Sequence, residues 1–111
     1  MRGALDVCLL ALLSEEPTHA YDLVVRLEER GLHGVGYGTI YPLVGRLRRN
    51  GLLDEHTVPS PAGPARKVFD VSAAGRVALS EWVDQWLDTT SAVRGLLQST
   101  DALPTHEKER A

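Results

Sequence analysis

Between residues 37 and 53 the chain carries three arginines, Arg46, Arg48 and Arg49, and no acidic side chain. Residues 1–36 hold three basic and six acidic groups, and residues 72–111 hold four and six. Positive charge is therefore focused on one middle segment of a chain whose net charge is −3. A local basic face can hold phosphates on a protein that is acidic overall. On a helical wheel of residues 38–49, Ile40, Leu43, Val44 and Leu47 form the i, i+3, i+4, i+7 stripe of a helix facing a core. Opposite that stripe fall Gly38, Pro42, Gly45 and Arg49, flanked by Tyr41 and Arg46. Thr39 lies nearer the edge, and Arg48 on the other flank. The glycines would let the helix backbone approach a groove wall, while Tyr41 and Arg46 supply reach. A two-sided helix of this kind can enter the major groove of DNA, its polar face against base edges and phosphates. Arginines also decorate ordinary solvated helix faces, so the reading depends on what surrounds this segment.

Two further groups could touch nucleic acid. Arg66-Lys67 follows a stretch with three prolines and a glycine (residues 59–65), where a hairpin could present them to flanking phosphates or the minor groove. The alternative is a charged edge strand that deters aggregation. His19 and Tyr21 stand at the start of a predicted helix, whose free N–H groups favour phosphate; equally, Tyr21 could pack half-buried with its hydroxyl in water. Chemistry of other kinds finds no centre. His19, His33, His56 and His106 are scattered, with no HExxH and no paired cysteines. The glycines of residues 34–38 lack the preceding strand of a nucleotide loop. No enzyme activity, metal or cofactor is expected. Trp82 and Trp86, the only tryptophans, stand i, i+4 with Leu79 and Val83 beside them. They read either as hydrophobic glue or as the walls of a flat pocket for a planar aromatic ligand.

The elements that must position these residues follow from apolar spacing and punctuation. Residues 3–14 read as a helix so apolar all round that it needs cover on most sides. A second helix runs to about Arg30, with Thr18 expected as its N-cap and Gly31 as its stop. Residues 31–38 form a glycine-rich turn, and the third helix extends to Arg49, ended by Asn50-Gly51. Residues 52–58 and 66–71 are strand candidates joined by a stiff tip at residues 59–65. Ser72 caps a long last helix over residues 73–98, with Thr89-Thr90-Ser91 a place where it could break. The tail from Ser99 is polar and expected to fray. Length permits one domain of 111 residues, 43% hydrophobic and 24% charged, in the range of soluble globular proteins. The lone Cys8 excludes an internal disulfide and fits a reducing, cytoplasmic setting. No apolar run reaches membrane-span length, and Asp6 interrupts the N-terminal apolar stretch that would otherwise suggest a secretory signal.

The order helix, helix, helix, strand, wing, strand, helix is that of a winged helix-turn-helix with one helix added: mainly α with a small β-hairpin. Five ordered blocks carry a closer likeness. His19-Ala20-Tyr21-Asp22-Leu23, then Gly38-Thr39-Ile40-Tyr41-Pro42-Leu43 with Arg46-Leu47, then Asn50-Gly51-Leu52-Leu53, then Gly63-Pro64 with Arg66-Lys67, then Ser72-Ala73-Ala74-Gly75-Arg76 together resemble the PadR family of bacterial regulators, in its short subtype. Two positions depart from the family pattern: Ala20 stands where a glycine is usual, and Val68-Phe69-Asp70 keeps one aromatic of two. The resemblance implies a DNA-binding domain over residues 1–72 and a dimerisation helix over residues 73–98. It further implies a homodimeric repressor on a palindromic operator, often released by a small molecule. Its recognition helix would span residues 38–50 and its wing residues 59–65. The expected DNA contacts are Thr39, Tyr41, Pro42, Arg46, Arg49, Arg66, Lys67, His19 and Tyr21. Leu79, Trp82, Val83 and Trp86 are the expected effector site. The partners would be double-stranded DNA, a second copy of the chain and a planar aromatic molecule, with no membrane. A winged helix that senses ligands or binds proteins without DNA is the other reading.

Overall fold

The computed structural model describes residues 3–104. Four helices and one hairpin follow in the order α1 (Ala4–Glu15), α2 (Ala20–Glu29), α3 (Tyr37–Arg49), β1 (Leu53–Ser60), β2 (Gly63–Val71) and α4 (Ala73–Ser99). The apolar α1 is the centre of the core. Leu9, Leu10 and Leu13 are wholly inaccessible, and they meet Leu23 and Leu27 of α2 and Ile40, Val44 and Leu47 of α3. Leu53, Phe69 and Val71 close the core from the hairpin, and Trp82 from α4.

Helix ends are set where the glycines allow. Gly31 has φ +92°, and Leu32 N–H donates back to the Leu27 carbonyl at 2.9 Å, a turn that ends α2 in a left-handed residue. Gly51 repeats the device after α3 with φ +79° and a 3.0 Å bond from Leu52 N–H to the Leu47 carbonyl. Two arginines lock α2 across the end of α1. Arg26 donates to the Leu12 and Glu16 carbonyls at 3.1 Å, and Arg30 pairs with Glu15 at 2.8 Å.

Three expectations need correction, and one point the sequence left open is decided. The cap of α2 is His19, not Thr18: His19 Nδ1 accepts from Asp22 N–H at 3.2 Å. Thr18 is drawn away because its backbone pairs with Phe69 in both directions, at 3.2 and 2.8 Å, adding a one-residue third strand to the hairpin. The strands run further than the prolines suggested. Val58 pairs with Arg66 and Ser60 with Gly63, so the tip is only Pro61-Ala62, and the irregularity beside Pro59 absorbs its missing donor. The last helix is continuous through residues 89–91, where the Thr90 hydroxyl donates to the Trp86 carbonyl at 2.9 Å. Of the tail expected to fray, residues 99–102 instead make a closed turn, with Ala102 N–H bonded to the Leu97 carbonyl at 2.9 Å; residues 105–111 lie outside the described residues.

Ser72 caps α4 as expected, accepting from Gly75 N–H at 3.0 Å. The first half of α4 packs on the domain. Beyond it Leu87, Val93, Leu96 and Leu97 are exposed. At 27 residues the helix is about 40 Å long, so its second half projects an apolar face that the other described residues leave uncovered.

Candidate nucleic-acid interface

The expected contact residues fall on two flanks of α3. On the wing side an open groove of about 400 Å³ lies between the start of α2, α3 and β2. His19, Tyr21, Tyr41, Arg66 and Lys67 all line it. So does Tyr37, which sequence reasoning assigned to the glycine turn. It stands in the first turn of α3 and links two other rings: its centroid is 6.2 Å from that of Tyr21 and 5.2 Å from that of Tyr41. The spacing of Tyr37 and Tyr41, i and i+4, was the available signal. All three tyrosines are exposed, an aromatic ladder outside the core.

On the other flank Thr39, Pro42, Arg46 and Arg49 face the N-terminal turn of α1 across a cleft of about 570 Å³. Pro42 is well inside α3, yet the helix is unbroken. Its missing N–H would have met the Gly38 carbonyl, so the helix forgoes one ladder bond in its second turn and otherwise continues.

The cations differ in their partners. Arg46 Nη2 lies 3.4 Å from both carboxylate oxygens of Asp6, whose side chain is only 8% exposed while that of Arg46 is 52% exposed. Glu55 on β1 reaches Arg48 at 3.7 Å and Lys67 at 4.0 Å. Arg49 has no carboxylate at ion-pair distance among the described residues and lies against Gly45. Arg66 Nη1 lies 2.9 Å from His19 Nε2. That contact cannot coexist with the cap. A neutral imidazole has one acceptor nitrogen, and His19 uses Nδ1 for Asp22 N–H, which leaves Nε2–H facing a guanidinium that only donates. The cap is the fixed partner and Arg66 the exposed, flexible one, so Arg66 is the group free to turn outward.

The remaining sequence candidates separate. Trp82 is buried in the core of its own chain, Leu79 packs against that core, and Val83 is exposed. Trp86 lines a different feature, a cleft of about 280 Å³ with Thr89, Val93, Arg94, Leu97 and Leu103. His33 lies 3.8 Å from Glu28, His56 is exposed on β1, and His106 falls outside the described residues. Among the described residues no three metal-ligating side chains cluster. Burial pushes the Cys8 thiol up from its ordinary range, which disfavours the thiolate. No helix of the described residues is long and apolar enough to cross a membrane.

Three helices, a two-stranded wing and a further long helix define a winged helix-turn-helix protein. The chain belongs to the transcriptional regulator PadR-like family, whose profile matches residues 9–81. It is similar to the transcriptional regulator Rv3488 of Mycobacterium tuberculosis, 36% identical over 81 residues, which cover 72% of this chain and 73% of the relative. Among solved structures it is similar to a PadR-like transcriptional regulator from Bacillus cereus, 32% identical with TM-score 0.76, covering 86% of this chain and 93% of that one. A PadR family transcriptional regulator from Eggerthella lenta is likewise 32% identical, with TM-score 0.77 and coverage of 86% and 83%.

Proposed function

We propose that this regulator is a homodimer that binds a palindromic DNA operator, acts as a repressor, and is released by a planar aromatic molecule. The observation that carries DNA binding is the wing-side groove. The N-terminus of α2, the tyrosine ladder of α3 and the cations Arg66 and Lys67 of β2 open onto the same space. Phosphates would meet Arg66, Lys67 and the free N–H groups beside His19 and Tyr21. Thr39, Tyr41, Pro42 and Arg46 would face base edges, and Arg49 a second phosphate. Dimerisation is supported by the bare apolar half of α4. In the dimer the two recognition helices would sit about 34 Å apart, or a multiple of that. Release by an aromatic molecule is supported by the half-open Trp86 cleft with its cationic Arg94. A ligand there acts by favouring one arrangement of the subunits over the other.

The test is to select genomic fragments on the purified chain, then titrate the selected duplex and a scrambled duplex by fluorescence anisotropy. The selected duplex should bind at least roughly a thousandfold tighter. Affinity should fall with salt at a log–log slope of about −5.4, for Arg49, Arg66 and Lys67 in each of two subunits. Repression is read with a reporter behind the selected operator, and release by titrating aromatic compounds into the complex. A second reading, a winged helix that senses ligands or binds proteins without DNA, is favoured by one observation. Asp6 and Glu55 hold three of the cations, Arg46, Arg48 and Lys67. Absence of salt-dependent binding to any duplex would establish that second reading and refute the first.

A further inference from the structure

The cations of the DNA face divide by partner, and the division assigns roles. Asp6 is the one acid in the apolar stretch of residues 3–13. It is held in place by the most tightly packed helix of the fold, since Leu9, Leu10 and Leu13 on the following turns are wholly buried. Both of its oxygens meet one nitrogen, Nη2, of Arg46 at 3.4 Å. A guanidinium tied at one corner to a fixed carboxylate cannot swing freely. Where the two oxygens share one Nη2–H, the other Nη2–H pairs with an Nη1–H to form the end-on fork, presented in a set direction from the middle of α3. The pair is also close to neutral, and its carboxylate repels an approaching phosphate. Both effects disfavour a phosphate contact and favour a planar pair of neutral acceptors, which in the major groove is guanine N7 and O6.

We infer that Asp6 is a positioning residue for sequence reading: it orients Arg46 toward a guanine edge and keeps it off the phosphate backbone. Arg49 and Arg66, which no carboxylate holds among the described residues, carry the phosphate contacts instead. The inference rests on the DNA-binding reading above and adds a residue that touches no DNA. It also gives the buried acid of α1 a role: α1 lies against both α3 and α4, so Asp6 ties the reading side chain to the body of the domain.

The experiment compares the full chain with Asp6→Asn, which removes the charge at constant shape, on the selected and scrambled duplexes across a salt series. Asp6→Asn is expected to lower the ratio of the two affinities roughly tenfold. The released Arg46 should tighten binding to the scrambled duplex and steepen the salt slope by about 1.8 for two subunits. The same measurements in an Arg46→Ala background show whether Asp6 acts through Arg46: there, Asp6→Asn should change neither ratio nor slope. Arg46→Lys keeps a charge beside Asp6 and loses the fork. It should lose the discrimination too, which keeps the idea testable if Asp6→Asn folds poorly. Wild-type selectivity in Asp6→Asn or in Arg46→Lys, or an equal loss in the Arg46→Ala background, overturns the assignment while leaving DNA binding intact. A wild-type chain that selects no duplex refutes the reading underneath and the assignment with it.

Discussion

Gly75 tests how the long helix is joined to the DNA-reading domain. It sits in the first turn of α4 with ordinary helical geometry, so an exposed helical glycine there would gain about 1 kcal/mol on becoming alanine. The surroundings reverse the sign. A Cβ at Gly75 would lie 2.1 Å from the Leu52 carbonyl oxygen and 2.8 Å from Val71 Cγ1. The obstacle is backbone, so α4 and the start of β1 must separate by roughly 1 Å to reach the shortest contact real Cβ atoms make. Separation strains two bonds that join the same segments, Ser72 N–H to the Leu52 carbonyl at 3.1 Å and the Ser72 hydroxyl to the Gly51 carbonyl at 2.6 Å. Losing both costs about 2 kcal/mol, near 1 each, and the overpacking itself adds about 1–3 kcal/mol. Against the propensity gain, the net loss for Gly75→Ala is about 2–4 kcal/mol. Urea unfolding at fixed protein concentration, followed by circular dichroism, should show the midpoint fall by about 1–2 M for an ordinary slope. Gly95→Ala, further along α4 with nothing within 4 Å of its Cβ, is the internal control. It should gain about 0.5–1 kcal/mol. A Gly75→Ala midpoint at or above wild type, or equal to that of Gly95→Ala, would refute the close-approach explanation.

Three further outcomes are expected. Leu96→Glu places a charge on the bare apolar face of α4; sedimentation at micromolar concentration should shift from twice the chain mass toward the single chain, and an unshifted dimer would put the interface elsewhere. Arg66→Ala should weaken binding to selected and scrambled duplexes by the same factor and flatten the salt slope by about 1.8 for two subunits, whereas Tyr41→Ala should lose about 1–3 kcal/mol on the selected duplex alone. Cys8, its thiol pushed up by burial, should alkylate with iodoacetamide at pH 8 more slowly than a free cysteine; the gap should close in denaturant, and a native rate equal to the denatured one would contradict the burial.

Order and type of elements were legible because the local signals agreed with the fold. The stripe Ile40, Leu43, Val44, Leu47 is the buried face of α3, and Gly31, Gly51 and Ser72 sit at the helix ends they marked. What misled first was a residue whose partner lies far along the chain. Thr18 is a good cap by type, yet a backbone bridge to Phe69, which no local pattern announces, turned the neighbouring His19 into the cap. Three prolines near the tip read as loop, although proline's fixed φ suits an extended edge strand wherever no ladder donor is needed. Residues 89–91 looked weak for a helix, but the Thr90 hydroxyl folds back onto the turn before it. Within the candidate site, the wheel of α3 predicted which side chains face outward. It could not show that Tyr41 and Arg46 open onto different clefts, or that Asp6 stands behind one of them. Both depend on how α1 crosses α3, which helical periodicity does not encode. The same limit separated the two tryptophans: i, i+4 spacing puts them on one face, but only the packing of α4 decides that Trp82 enters the core and Trp86 lines a separate cleft.

The net charge of −3 does not argue against the proposed polyanionic partner, because the charges are sorted by face. α3 contains no acid, and the acids at ion-pair distance from it among the described residues, Asp6 and Glu55, pair with Arg46 and Arg48 and leave Arg49 uncompensated. Arg26 and Arg30 belong to the α1–α2 joint and add nothing to the DNA side. The largest surplus of negative charge is on residues 1–36, while α4 carries Glu81, Asp84 and Asp88, all exposed, against Arg76 and Arg94. Exposed charges further apart than the Debye length, about 8 Å at physiological salt, are largely screened from one another. A phosphate in the wing-side groove therefore responds to Arg66, Lys67 and the α2 N-terminus, while the α4 carboxylates are screened from it. At low salt those carboxylates still act at a distance, and they repel the duplex from the wrong side. On that account the α4 carboxylates would bear on the approach of the duplex and not on the bound complex. Neutralising Glu81, Asp84 and Asp88 together to Gln, Asn and Asn should leave the dissociation rate unchanged and alter the association rate only below about 50 mM salt. Stopped-flow measurements across a salt series would separate the two, and a changed dissociation rate would mean that α4 touches the DNA.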